Sequence, residues 1–107
     1  MIYKFNYRVD FSTIRDYWDI HRVLKDSLNF PDYYGGNLDA LYDCLTDMLC
    51  DVSIIEIVGI EKVAEFNNYD QRLIKVFHDT KHAFDNHFFD RFFVTIIHKD
   101  GKCEEIE

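Results

Sequence analysis

The chain is short of positive charge, of cysteine and of glycine, and each shortage removes a class of function. Twelve Lys and Arg face twenty Asp and Glu in 107 residues, a net charge of −8. That balance argues against a nucleic-acid or anionic-membrane surface and favours fast, salt-sensitive capture of a basic protein. Acidity also aids solubility in most acidic proteins, so charge alone decides little. The three cysteines, Cys44, Cys50 and Cys103, are odd in number and lack framework spacing, which fits a reducing compartment. Cys44 and Cys50 stand six apart on one expected helix, which points them to different faces and rules out a mutual bridge. Only four glycines occur, and none builds a Gly-rich phosphate loop. No Ser-His-Asp or Cys-His arrangement is signalled. No apolar run is long enough to cross a membrane, and Met1-Ile2-Tyr3-Lys4-Phe5 leads straight into a strand pattern rather than a leader's apolar region. The expectation is a cytoplasmic protein without repeats, linkers or low-complexity segments.

What the chain does have is a core. Hydrophobic residues make up 48% and aromatics 17%, enough for one domain over 1–107 that folds without disulfides or metals. Ile2 to Val9 alternates as a strand does, and a turn follows at Asp10 to Thr13. Asp16 is placed to cap a helix through Leu28, with Ile20, Val23, Leu24 and Leu28 on its buried face. Pro31 ends that segment and opens an aromatic turn. Gly35-Gly36 permits a sharp bend, and Asn37 caps the next helix, whose core stripe is Leu38, Leu41, Leu45 and Leu49. Val52 to Val58 reads as a strand buried on both faces. A short helix from Ile60 to Phe66 ends at Asn67-Asn68; Asp70 then caps a helix to about Phe84, buried through Leu73, Ile74, Phe77 and Phe84. Phe92 to His98 is the last strand, and residues 98–107 read as a C-terminal extension. The order β-α-α-β-α-α-β implies an α/β domain with a small three-stranded parallel sheet packed with about four helices.

The informative stretch is Pro31 to Asp47, PDYYGGNLDALYDCLTD. It joins an aromatic turn to a helix carrying Asp39, Asp43 and Asp47 at i, i+4 and i+8. Like charges so spaced destabilise a helix by roughly 0.2–0.5 kcal/mol per pair. Asp39 recovers some of this near the helix N-terminus, whereas Asp47 lies toward the negative end. Composition alone favours a solvated charged face. The sharper reading is a surface shaped for a cationic partner, with charge-assisted hydrogen bonds to arginine. Tyr42 sits between this stripe and the leucines, and Tyr33 and Tyr34 suit an interface or a loop anchor equally.

Pro31 to Thr46 resembles, nearly without interruption, the signature of the barstar family, intracellular inhibitors of a secreted ribonuclease. Asp19-Ile20-His21 and Leu24-Lys25, then Val76-Phe77 and Lys81, extend the resemblance more weakly to about Ile97. It implies a barstar-like fold and a non-enzymatic, one-to-one inhibitor of a basic ribonuclease or ribonuclease-like toxin, monomeric when free. Cofactors, metals, nucleic acid and membranes have no place in that expectation. The implied contact residues are Tyr33, Asn37, Asp39, Tyr42, Asp43, Thr46, Asp47, Val76 and Asp79. Asp43 matches the aspartate at the heart of the family's contact and Asp39 its acidic neighbour; Tyr33 matches the contact tyrosine and Tyr34 the more structural one. Cys44 matches the family's helix cysteine and reads as packed rather than nucleophilic.

Several positions depart from the family pattern. Tyr42 replaces a tryptophan, Asp47 and Met48 stand where the family has glycine then tryptophan, Gly36 removes a charge, and Asp79 replaces a glutamate one methylene longer. The scaffold is retained while the rim is rewritten, which leaves open a binding module for a different basic protein. A further alternative is chemical. His78-Asp79-Thr80-Lys81-His82 has the outline of the helical zinc motif, with Asp85 and His87 as candidate third ligands of a zinc-dependent hydrolase. Asp is a short base for that role, and exposed helix histidines are the commoner explanation.

Overall fold

The computed structural model describes residues 7–47, 53–83 and 92–107. Its elements run β1 (Tyr7–Asp10), α1 (Tyr17–Ser27), α2 (Leu38–Asp47), β2 (Ser53–Val58), α3 (Ile60–Ala64), α4 (Tyr69–Lys81), β3 (Phe92–Ile97) and β4 (Cys103–Glu105). The expectations placed on Ile2, Leu49, Cys50, Val52, Phe84, Asp85 and His87 lie outside the described residues.

The sheet has the order β1-β2-β3-β4. The first three strands are parallel, in the register Val9↔Ile57 and Ile57↔Ile96. Parallel neighbours need crossover connections, and α1–α2 and α3–α4 supply them. One sheet face carries Val9, Ile55, Ile57, Phe92, Val94 and Ile96, all buried in the cluster that also holds Ile20, Leu24, Leu41, Leu45, Leu73 and Phe77 from the helices. β2 is not buried equally on both faces: Glu56 and Val58 are half-covered, and Glu56 pairs with Arg8 across the strands at 3.1 Å.

The three-stranded expectation falls one strand short. β4 turns back and pairs antiparallel with β3, Ile97↔Cys103 and Thr95↔Glu105. A tight turn makes this possible. Gly101 takes φ +89° and its N–H donates to the His98 carbonyl at 2.9 Å, while the His98 N–H donates to the Lys102 carbonyl at 2.8 Å. Ile106 then drops into the core, 6% exposed, and its N–H donates to the Val94 carbonyl. Side chains secure the returning segment. His98 lies between Glu61 on α3 at 2.9 Å and Glu104 at 3.0 Å, and Lys81 on α4 donates to the Ile106 carbonyl at 3.2 Å. The two carboxylates, Glu104 first and then Glu61, hold the His98 imidazole above its usual range.

α1 begins where its cap predicts. Asp16 accepts from the Asp19 N–H at 3.1 Å, and the Asp19 carboxylate accepts in return from the N–H groups of Arg15 and Asp16, a complete capping box. α4 does not. It starts at Tyr69, behind Asn67 and Asn68 in the left-handed region at φ 54° and 56°, and Asn68 makes no side-chain cap bond. Asp70, the expected cap, therefore falls inside the first turn, where one of its carboxylate oxygens is buried with no hydrogen-bond partner among the described residues. A pair of left-handed asparagines turns the chain sharply enough to make Asp70 too late to cap.

Candidate protein-binding face

α2 is held at its start by Asn37, whose side-chain oxygen accepts from the Ala40 N–H at 2.8 Å. Leu41 and Leu45 are fully buried and Cys44 nearly so, which fixes how the helix is rotated against the core. That rotation leaves Asp39, Asp43 and Asp47 exposed, with Tyr42 and Thr46 half-buried beside them. Successive carboxylates stand about 6 Å apart along the axis, from the helical rise. None of the three has an ion-pair partner among the described residues. The Thr46 hydroxyl donates inward to the Asp43 carbonyl at 2.8 Å. Burial pushes the Cys44 thiol up, with Asp47 and Asp43 adding to the effect, so it is held protonated and unreactive.

The turn before α2 divides its two tyrosines. Tyr33 is 78% exposed, whereas Tyr34 turns inward, its ring 4.9 Å from that of Phe30. The Tyr34 hydroxyl lies 2.6 Å from His21 Nδ1. His21 Nε2 lies 2.7 Å from the Tyr69 hydroxyl, which in turn lies 3.2 Å from that of Tyr17. His21 is 4% exposed, and burial lowers its pKa to about 4. Burial likewise raises the Tyr34 and Tyr69 hydroxyls far above their ordinary range. The chain Tyr34–His21–Tyr69–Tyr17 thus ties the turn to α1 and α4, with His21, Tyr34 and Tyr69 held in their neutral forms. Gly36, at φ +67°, completes the bend into α2.

α4 packs against α2. Its Val76 is half-buried against the core rather than projecting from it. Asp79 is partly exposed and already engaged: Lys75 reaches it at 2.8 Å and His78 at 3.4 Å. The Lys75 ammonium beside it holds its carboxyl below the usual range. A partner reaching Asp79 must therefore compete with Lys75.

The structure accordingly gathers Tyr33, Asn37, Asp39, Tyr42, Asp43, Thr46 and Asp47 on one turn and one helix, with Val76 and Asp79 on the helix beside it. Sequence reasoning gave Trp18 no role and cited His21 only as part of the family resemblance. Trp18 is 74% exposed and lies off the Ile20 and Leu24 stripe, a pattern visible in the spacing. The resemblance assigned His21 no role, and only its two hydroxyl partners reveal one. The histidines of the zinc outline, His78 and His82, have ring centroids 4.5 Å apart, and His82 Nε2 lies 2.6 Å from the Glu107 carbonyl oxygen. No group of three or more metal-ligating side chains forms among the described residues, and no helix among them is long and apolar enough to cross a membrane.

Residues 5–96 match the family model described as Barstar (barnase inhibitor). A protein of Bacillus subtilis (strain 168) named "Putative ribonuclease inhibitor YrdF" is 74% identical over 27 residues, 25% of this chain and 30% of that relative's length.

Proposed function

The chain belongs to the barstar family, and from that membership we propose that it is a stoichiometric protein inhibitor of a barnase-like ribonuclease. One observation carries the mechanism: Asp39, Asp43 and Asp47 stand exposed and unpaired among the described residues, beside the exposed Tyr33 ring. A ribonuclease active site binds phosphate with cationic side chains, and carboxylates at helical spacing substitute for phosphate there. Asp43 pairs with the arginine or histidine at the centre of that site and Asp39 with a neighbouring cation. Tyr33 and Tyr42 cover the edges, and Asn37 and Thr46 supply polar contacts. Val76 and Asp79 form the rim. Occlusion is steric and electrostatic, with no chemical step, in a one-to-one complex with an inhibitor that is monomeric when free. In the cytoplasm of the producing cell it acts as an antitoxin or immunity protein.

The anchored turn supports the same reading. Because His21 and Tyr34 fix the loop before binding, little conformational entropy is lost on docking. A second reading, a scaffold for another basic protein, draws support from Asp79, whose ion pair with Lys75 blunts the rim contact that the family motif implies.

Titration of the folded protein into a barnase-type ribonuclease, with RNA cleavage as readout, decides between them. Loss of activity at one equivalent, abolished by Asp43→Ala, is the expected result. Unimpaired cleavage in the presence of excess folded protein moves the assignment to a different basic partner.

A further inference from the structure

Among the described residues the exposed large hydrophobic side chains are Trp18 and Tyr33, from different elements. Beside Trp18 opens a cleft of about 280 Å³, lined by Trp18, His21, Arg22 and Lys25 from α1 and by Tyr34, Gly35 and Gly36 from the turn that bears Tyr33. Its chemistry is opposite to that of α2. Arg22 is largely exposed, yet its guanidinium is anchored by an ion pair to Asp19, whose carboxylate is buried in the capping box. Asp19 engages part of the guanidinium fork, and among the described residues no second acceptor takes its other N–H donors. Lys25 adds a second cation, 3.4 Å from Asp32. The Trp18 indole is braced edge-on against Tyr17, ring centroids 5.5 Å apart, so it is presented in a defined orientation.

We infer that the binding face continues past the Tyr33 turn onto α1, where Trp18 and Arg22 form a second contact for an acidic side chain flanked by an apolar one, on the rim of the ribonuclease's cationic cleft. This rests on the ribonuclease-inhibitor reading and specifies its partner further. The enzyme presents cations to α2 and, one turn away, a carboxylate to Arg22. Charge complementarity of both signs fixes the docking orientation, which a single anionic stripe does not. Aromatic and arginine side chains are also those over-represented where binding energy concentrates. Gly35 and Gly36 carry no side chain into the cleft and leave its floor open to the partner.

The test uses a barnase-type ribonuclease and measures dissociation constants and rates for the wild type, Trp18→Ala, Trp18→Phe, Arg22→Gln and Asp43→Ala. Trp18→Ala and Arg22→Gln should each weaken binding roughly tenfold, mainly through faster dissociation. Trp18→Phe should recover part of the loss. Trp18 is solvent-exposed, so its variants keep the unfolding midpoint and remain informative even where Arg22→Gln disturbs the α1 cap. Binding by Trp18→Ala and Arg22→Gln within twofold of wild type, alongside a large loss in Asp43→Ala, overturns the second contact while leaving the inhibitor reading intact. Absence of binding by the wild type overturns the inhibitor reading and the second contact with it.

Discussion

The imidazole of His21 joins two hydroxyls, Tyr34 Oη at 2.6 Å from Nδ1 and Tyr69 Oη at 2.7 Å from Nε2. A neutral imidazole offers one donor and one acceptor, so the row has a direction. When Tyr17 donates to Tyr69, Tyr69 donates to Nε2 and Nδ1–H donates to Tyr34. One buried ring thereby couples the turn that bears Tyr33 to both flanking helices.

That arrangement makes stability depend on mildly acidic pH. His21 has a native pKa of about 4 against 6.5 in the unfolded chain. Between those values the unfolded state binds a proton that the native state refuses, so stability falls as pH falls. The contribution is complete above pH 6.5 and has been lost by pH 4, a change on the order of 3 kcal/mol. Denaturant unfolding of the wild type and His21→Gln from pH 7 to pH 4 should show the variant losing less stability than the wild type. Parallel curves would remove His21 from the explanation.

Binding and folding should separate along α2. Leu45 is fully buried, and Leu45→Ala should cost about 2–5 kcal/mol of stability. Asp43 is exposed, so Asp43→Ala should leave stability within about 0.5 kcal/mol while costing about 2–5 kcal/mol of ribonuclease binding, because it strands cations on the partner. Chemical denaturation and calorimetric titration of the two variants measure both halves of this contrast.

Asp47 offers a trade with opposite signs. It closes the described helix at the negative end of the dipole, one turn from Asp43. Asp47→Asn should raise stability by a few tenths of a kcal/mol. The same change should slow association with a basic ribonuclease and flatten the decline of the association rate with salt. Stopped-flow mixing at several ionic strengths tests this; a variant that associates as fast as wild type at low salt contradicts a steering role.

Gly59 is a structural counterpart remote from the face. Its φ is +79°, and a Cβ there would lie 2.6 Å from the Ser12 amide nitrogen. Gly59→Ala should therefore cost at least about 2 kcal/mol. Thermal unfolding measures it, and a cost near zero would mean the loop after β1 yields easily.

Much of this architecture was legible because local signals agreed with the packing. Asp16 announced α1, and the Leu41–Leu45 stripe announced the rotation of α2 that exposes its aspartates. Two features were missed for identifiable reasons. β4 is exposed along all three residues, so it lacks the alternation that betrays a strand, although Asp100-Gly101 is a strong turn signal. The cap of α4 was placed at Asp70 because asparagines in the left-handed region leave no periodic trace. The carboxylate row was visible in the spacing, whereas Trp18 joins the candidate face only when α1 and the turn are brought together. Such a juxtaposition has no pattern along the chain.

The returning tail sets what can be removed from this protein. β4 covers the outer edge of β3, and Ile106 closes over Val94. A chain cut after Ile97 would expose a row of unpaired amides and carbonyls on β3, flanked by Phe93 and Ile97. Open hydrophobic edges of that kind recruit further strands and seed self-association. The β4 return thus shields that edge from polymerisation, and shortening the chain to residues 5–96, the span of the family match, should lower its solubility.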